Sequence, residues 1–205
     1  MAGAVNEVYL HSRKAGNRGD VWKHYALARI LENEAVRETK AYIETHAGAG
    51  VYELKDIPKA REWKQGILRV ARRPEATKEP FQAILKEVNP SLTFPGCYPG
   101  SAFIASRLLP DRRYVLFEQE EKAAEELRRW IPEADVRAED GYAGLASALL
   151  QRTRSEERIF VFIDPPYKGK KDWKTIPKQL AGLPAGSIGV VWYHVAAYSN
   201  PDNLH

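Results

Sequence analysis

Cysteine is all but absent from this chain. Cys97 is the single one among 205 residues, which excludes an internal disulfide and leaves far too few thiols for a cysteine zinc site. It reads as a small packing residue. Long apolar runs are missing too. The longest, such as Ile159 to Ile163, reach about five residues against the ~18 that a membrane-spanning helix needs. No basic-then-apolar segment opens the chain, because "MAGAVNEVYLHSRK" turns polar at once, so nothing reads as a secretory signal. No GK[ST] follows the glycine-rich stretch, which excludes a P-loop, and the five histidines form no HExxH pair. These absences point to a protein of the cytoplasm with no membrane anchor and no metal.

What is present is a globular composition. Hydrophobic residues at 44% and charged residues at 28% are ordinary for a packed domain, and the length suits one domain with a real core or one domain plus a small insertion. A net charge of +4 would say little about a polyanionic partner if it were spread evenly. It is clustered instead. Lys168, Lys170, Lys171, Lys174 and Lys178 follow one another closely, and Arg13, Lys14, Arg18 and Lys23 form a second group. Each group suits either a solvated face or contacts to phosphates.

Apolar runs that end on polar or acidic residues organise the chain. They are "AYIETHAGAG" (41–50), "YVLFEQE" (114–120), "ADVRAEDGY" (134–142) and "IFVFIDPPY" (159–167), with "SIGVVWYH" (187–194) as a fifth. Continuous apolar character marks buried parallel strands. Amphipathic patterns such as "EEKAAEELRRWI" and "YAGLASALLQRT" lie between them. Glu118, Asp140 and Asp164 recur every 22 to 24 residues, one βα unit each, which predicts an α/β parallel sheet. The 74 residues from Glu44 to Glu118 are too many for one crossover. Residues 51–97 carry helical patterns punctuated by prolines, and they are assigned to a helical insertion on the ligand side of the sheet. The expected organisation is 1–50 for the N-terminal motif and first strand, 51–97 for the insertion, and 98–205 for the rest of the main domain.

In open α/β sheets, ligands bind outside the carboxyl ends of the strands, and the unusual residues fall there. Gly48 and Gly50 in "HAGAG" suit either close backbone approach to a ligand or a tight turn. Glu53 stands where the third glycine of a dinucleotide fingerprint belongs, so a nucleoside without a pyrophosphate fits better. Glu118 is placed to accept the hydroxyls of a ribose. Asp140, followed by Gly141, suits either an adenine amino group or a helix N-cap. Asp164, Pro165, Pro166 and Tyr167 ask for more than a turn. An exocyclic amine on a nucleobase is a poor nucleophile until acceptors hold its N–H groups. Asp164 offers one acceptor and the Pro165 carbonyl another, its direction fixed by the paired prolines. Tyr167 offers a face for an extracted base, and Lys168, Lys170 and Lys171 offer charges for phosphates.

Asp-Pro-Pro-Tyr at the fourth strand is the signature of amino-methyltransferases that use S-adenosylmethionine. With "YLHSRKAGNRGDVWKH" (9–24), "THAGAG" (45–50), "YPGS" (98–101) and "EDG" (139–141) in order, the chain resembles the RlmJ family, which methylates N6 of one adenine in 23S ribosomal RNA. The resemblance spans residues 9 to 194. It implies a class I, Rossmann-like methyltransferase fold and an S-adenosylmethionine pocket of Lys23, His24, His46, Ser101, Glu118, Asp140 and Gly141. His24 and His46 also suit satisfied core histidines. The resemblance further implies Asp164 as the catalytic acceptor and as a residue of the cofactor site, Tyr9 as a contact to substrate RNA, and a monomer. Family members commonly carry an aromatic and a histidine where Arg13 and Lys14 stand, and they continue past the "WY" strand into two further strands, whereas eleven residues follow His194 here. Val190 to Tyr193 is therefore expected at a sheet edge open to association with another chain. Two other functions stand beside the first: methylation of adenine in DNA, and RNA binding without catalysis.

Overall fold

Asn17 supplies the oxygen that starts the first helix. Its side chain accepts from the Asp20 backbone N–H at 3.0 Å, satisfying a donor with no partner inside the first turn. Helix α1 (Arg18–Leu31) then buries Leu27, Ala28 and Leu31, and with them Asp20, Lys23 and His24. Three polar side chains are not buried for apolar packing, so the N-terminal half of α1 faces something other than the core. The computed structural model describes residues 15–54, 62–71, 79–90, 96–151, 157–167 and 171–193. Tyr9, Arg13, Lys14, Lys168, Lys170 and His194 lie outside them.

A single-turn helix, α2 (Glu34–Arg37), leads into β1 (Ala41–Glu44), which is buried at every residue. The strands β2 (Val51–Glu53) and, much later, β3 (Cys97–Pro99) pair antiparallel. Between them run α3 (Glu62–Gln65), α4 (Ile67–Ala71) and α5 (Pro80–Val88). Then follow α6 (Ser101–Leu108), β4 (Arg113–Phe117), α7 (Glu121–Trp130), β5 (Asp135–Arg137), α8 (Gly141–Leu150), β6 (Ile159–Ile163), α9 (Lys171–Ala181) and β7 (Ile188–Val191).

The main sheet has the order β5-β4-β1-β6-β7, and every pair in it is parallel. The two central strands, β1 and β6, are buried at each position, as expected for strands covered by helices on both faces. Chain order runs outward from β1 to β5, then returns to β6 beside β1 and runs out the other way. The switch point lies between the carboxyl ends of β1 and β6, where such sheets hold ligands. Asp164 follows β6 there, and Thr45 follows β1. Among the described residues, β7 forms one edge of the sheet.

The β2–β3 pair corrects the assignment of 51–97 to helices alone. Its function is closure. Gly100 N–H donates to the Gly50 carbonyl at 2.7 Å, so "HAGAG" and "YPGS" lie side by side although helices separate them in sequence. Those helices share one core with the rest of the chain. Trp63, Ile67, Phe81 and Leu85 belong to the same buried cluster as Leu27, Leu31 and Phe162. Truncating a buried aromatic such as Phe81 to alanine costs ~3–5 kcal/mol in sites of this kind. Among the described residues no helix is long and apolar enough to cross a membrane.

Candidate active site

The ends of β1, β4 and β6, the start of α1 and the first residues of α6 and α8 enclose a cleft of about 450 Å³, within the usual size range for small-molecule sites. Lys23, His24, His46, Gly48 and Ser101 line it. Glu118, Asp140, Gly141, Asp164 and Pro165 line it from the other elements.

Lys23 is the centre of its electrostatics. The ammonium lies 2.5 Å from Asp164 Oδ2 and 3.2 Å from Asp20 Oδ1, with a side chain only 5% exposed. Burial works against its charge, but Asp164 and Asp20 outweigh that penalty and hold the pKa above the ordinary lysine value. Asp20 was not singled out by the sequence. It is buried and also accepts from the Gly16 N–H at 3.1 Å. The usable signal was its spacing, since Asp20 and Lys23 share one face of a helix three residues apart.

The glycine-rich loop is braced rather than free. Ala47 N–H donates to the Phe117 carbonyl at 2.9 Å. Gly48 N–H donates to Glu118 Oε2 at 2.9 Å, while the other Glu118 oxygen accepts from Glu120 N–H at 2.8 Å. Glu118 thus ties two loops together, and each oxygen keeps a lone pair for a ligand. Gly48 has φ +65, and a Cβ there would lie 2.0 Å from the Tyr52 hydroxyl oxygen, so no other residue fits. Gly50 does not line the cleft. It packs against Leu127 and Trp130, which makes it a turn residue rather than a ligand contact.

Asp140 resolves into the N-cap. Its Oδ1 accepts from Tyr142 N–H at 3.1 Å and Ala143 N–H at 3.0 Å, while the residue still borders the cleft. Gly141 is required by packing, because a Cβ would lie 1.8 Å from the Thr45 carbonyl oxygen. His24 Nδ1 and the Tyr98 hydroxyl are 2.7 Å apart, with the rings stacked. His46 shares a 2.8 Å hydrogen bond with the Thr45 hydroxyl. Burial lowers its pKa against the pull of nearby aspartates, which leaves the imidazole neutral at pH 7.

Ser101 points to a further unforeseen carboxyl. Its hydroxyl donates to Glu44 Oε1, and Glu44 Oε2 accepts from the Tyr42 hydroxyl at 2.8 Å. Glu44 is fully buried, and burial pushes its pKa up to about 8 although both hydroxyls oppose the shift. It is protonated in most molecules at neutral pH and fixes the start of α6 against the end of β1. Like Glu118, Asp140 and Asp164, it ends or follows a strand of the sheet, so its position in the pattern was visible while its burial was not.

Tyr167 departs from the expected stacking face. It is absent from the cleft wall, because its backbone turns left-handed (φ 49) and its hydroxyl donates to the Trp192 carbonyl at 2.6 Å. Burial, and then the charge of Asp164, push its pKa to about 12, so the phenol remains a donor. Pro166, exposed, and Trp192 line the wall in its place. Lys171 is exposed at the start of α9. Tyr9, Lys168 and Lys170 lie outside the described residues.

Asp20, Glu118, Glu120, Asp140 and Asp164 border the cleft, and Lys23 pairs with two of them, Asp20 and Asp164. Such a wall favours a ligand that carries positive charge and repels a polyphosphate.

A family model described as ribosomal RNA large subunit methyltransferase D, RlmJ, matches residues 37–205. Two proteins named ribosomal RNA large subunit methyltransferase J, from Escherichia coli and Haemophilus influenzae, are each 31% identical to the chain. Each match covers 91% of this chain and 70% of the relative. The crystal structure of a Legionella pneumophila protein aligns with a TM-score of 0.73 and 32% identity, over 88% of this chain and 70% of that one. A family match over most of the chain, two relatives at this identity, and Asp164 at the switch point of a parallel sheet agree: the chain belongs to the RlmJ family of ribosomal RNA large subunit methyltransferases.

Proposed function

We propose that the protein transfers a methyl group from S-adenosylmethionine to N6 of an adenine in 23S ribosomal RNA. The observation that carries this reading is the position of Asp164 and Pro165, at the carboxyl end of β6, on the wall of a cleft rich in carboxylates. The donor set suits S-adenosylmethionine, whose sulfonium and ammonium match the acidic wall and which has no phosphate to be repelled. When bound, it supplies a methyl group on an already activated sulfonium.

The residues divide the remaining work. Glu118 accepts the ribose hydroxyls with the lone pairs its backbone partners leave. Asp140, half committed to capping α8, presents its second oxygen to the adenine end of the cofactor. Gly48, His46 and Ser101 shape the wall. Asp164 Oδ2 is held by Lys23, so Oδ1 is the acceptor offered to the target amine, and the Pro165 carbonyl takes its second N–H. Both acceptors would localise the lone pair on nitrogen; as the N–C bond forms, the methyl–sulfur bond of the donor would break to leave a neutral thioether, and one amino proton would be given up along the Asp164 hydrogen bond. Holding amine and methyl group in line is the larger part of the catalysis, worth roughly 7–11 kcal/mol in well-oriented reactions. The base must leave its stack to reach Asp164, which is cheapest in unpaired RNA.

Paired RNA and DNA oligonucleotides of one sequence, each with a single unpaired adenine, test the substrate class through the 2′-hydroxyl. Labelled methyl transfer to the RNA with little to the DNA is expected. Equal transfer to both, or preference for DNA, would move the protein to the DNA-methylating reading.

A further inference from the structure

An aromatic cluster stands just outside the cleft and takes no part in the chemistry above. Tyr167, Trp173 and Tyr193 reach it from three places: the end of the Asp-Pro-Pro run, the first turn of α9 and the segment after β7. The Tyr167 and Trp173 rings lie 5.2 Å apart at 37°, and Trp173 meets Tyr193 edge-on at 5.7 Å. Trp173 and Tyr193 are each 51% exposed. A contiguous aromatic surface of this kind marks an interaction site more often than a packing defect.

The cluster is built, not incidental. A tyrosine at positive φ is unusual and costs energy unless its surroundings fix it. Here the bond from its hydroxyl to the Trp192 carbonyl does so, and the result aims the Tyr167 ring at Trp173. Charge complements the rings. Lys171, Lys174 and Lys178 are exposed and fall at the spacing of one helical stripe on α9. The acid among them, Asp172, accepts from the Tyr142 hydroxyl at 3.0 Å, which ties its carboxylate toward α8. Aromatic faces beside a row of lysines suit unpaired nucleic acid, whose bases stack and whose phosphates need cations.

We propose that Trp173 and Tyr193 form a stacking platform for an unpaired nucleotide flanking the target adenine, with Lys171, Lys174 and Lys178 neutralising the phosphates of the same strand. The platform rests on the RNA-methylation reading. It places the flanking nucleotide, not the target, because the cluster lies beyond the wall formed by Asp164, Pro165 and Pro166.

The test uses the full chain, a fluorescent single-stranded RNA carrying the target adenine, and separate readouts of RNA binding, cofactor binding and methyl transfer. Trp173→Ala should weaken RNA binding about 5- to 160-fold, the range for one lost base stack, and raise the KM for RNA. Affinity for S-adenosylmethionine should not change, and Trp173→Phe should recover most of the RNA affinity. Lys174→Ala with Lys178→Ala should flatten the salt dependence by about 0.7 in log–log slope per lost phosphate contact. If Trp173→Ala binds and methylates RNA as the parent does, the platform falls and the activity stands. If the variant loses thermal stability with RNA affinity unchanged, the cluster is covered by protein, whether another part of this chain or a partner, and the proposal is overturned. A parent chain that binds RNA through Trp173 but transfers no methyl group would keep the platform and remove the activity.

Discussion

Replacing Lys23 with methionine probes the cleft more sharply than any other single change. The substitution keeps an unbranched side chain one heavy atom shorter and removes its charge, leaving Asp20 and Asp164 facing each other. Removing one partner of a buried pair typically costs ~3–5 kcal/mol, because the remaining charge stays buried and unpaired. Two features place this site near the lower end. The Asp164 side chain is 16% exposed, so water reaches it, and Asp20 keeps its bond from Gly16 N–H. For a domain of this size ~1 kcal/mol shifts the melting temperature by about 2–4 °C. A loss of ~3 kcal/mol therefore predicts a drop of roughly 6–12 °C at pH 7. The pH dependence has a sign. The Lys23 pKa is raised in the folded state, so its stabilisation is full below the ordinary lysine range and fades only as pH climbs through the raised value. The gap between parent and variant should hold from neutral pH to about pH 9. Adding Asp164→Asn to Lys23→Met should return part of the loss, with a coupling of ~0.5–3 kcal/mol. A Lys23→Met chain that melts within about 2 °C of the parent, or a double variant showing no coupling, would refute the assignment of this pair as the hub of the cleft.

Three further outcomes follow from the same geometry. Asp164→Ala should lower methyl transfer by ~100-fold or more while S-adenosylmethionine binding, read by calorimetry, stays close to that of the parent; retained turnover would remove Asp164 from the chemistry. Glu118→Ala should act on binding first, weakening the cofactor by ~1.5–3 kcal/mol for a lost charged partner, and an unchanged dissociation constant would reduce Glu118 to a loop brace. Glu44 predicts a pH effect on stability. With its pKa raised from 4.5 to about 8 in the fold, its contribution is greatest below about pH 4.5 and declines by up to ~1.4 kcal/mol per pH unit toward pH 8. Glu44→Gln should flatten that decline in urea melts across pH, and an unaltered slope would mean that Glu44 titrates normally.

The parallel sheet was legible because its strands are continuous apolar runs that end on acids at a regular interval, and a period of that kind survives without any tertiary information. The same rhythm placed Glu118, Asp140 and Asp164 on one side of the fold. Side-chain direction was not legible. Tyr167 sits where its spacing put it, yet a left-handed backbone and a hydrogen bond to a residue in the β7 segment turn it off the cleft wall. The β2–β3 pair escaped notice because three-residue strands far apart in sequence leave no periodic trace. Burial of ionic groups escaped for a related reason. Lys23 falls in a basic group of the sequence and, on the family resemblance, at the cofactor pocket, but nothing in the sequence shows that two carboxylates enclose it, while Asp20 and Glu44 carry no motif of their own. Their roles exist only once α1 is laid across the ends of β1 and β6.

Transfer of a methyl group to adenine N6 is open to one direct measurement. Ribosomal RNA from cells lacking the modification is incubated with the protein and S-adenosylmethionine labelled in its methyl group, then digested to nucleosides and separated. Label is expected in N6-methyladenosine, in at most one equivalent per RNA, and none when Asp164→Ala replaces the parent. Label in another nucleoside, or no label although the parent chain binds S-adenosylmethionine, would contradict N6 transfer.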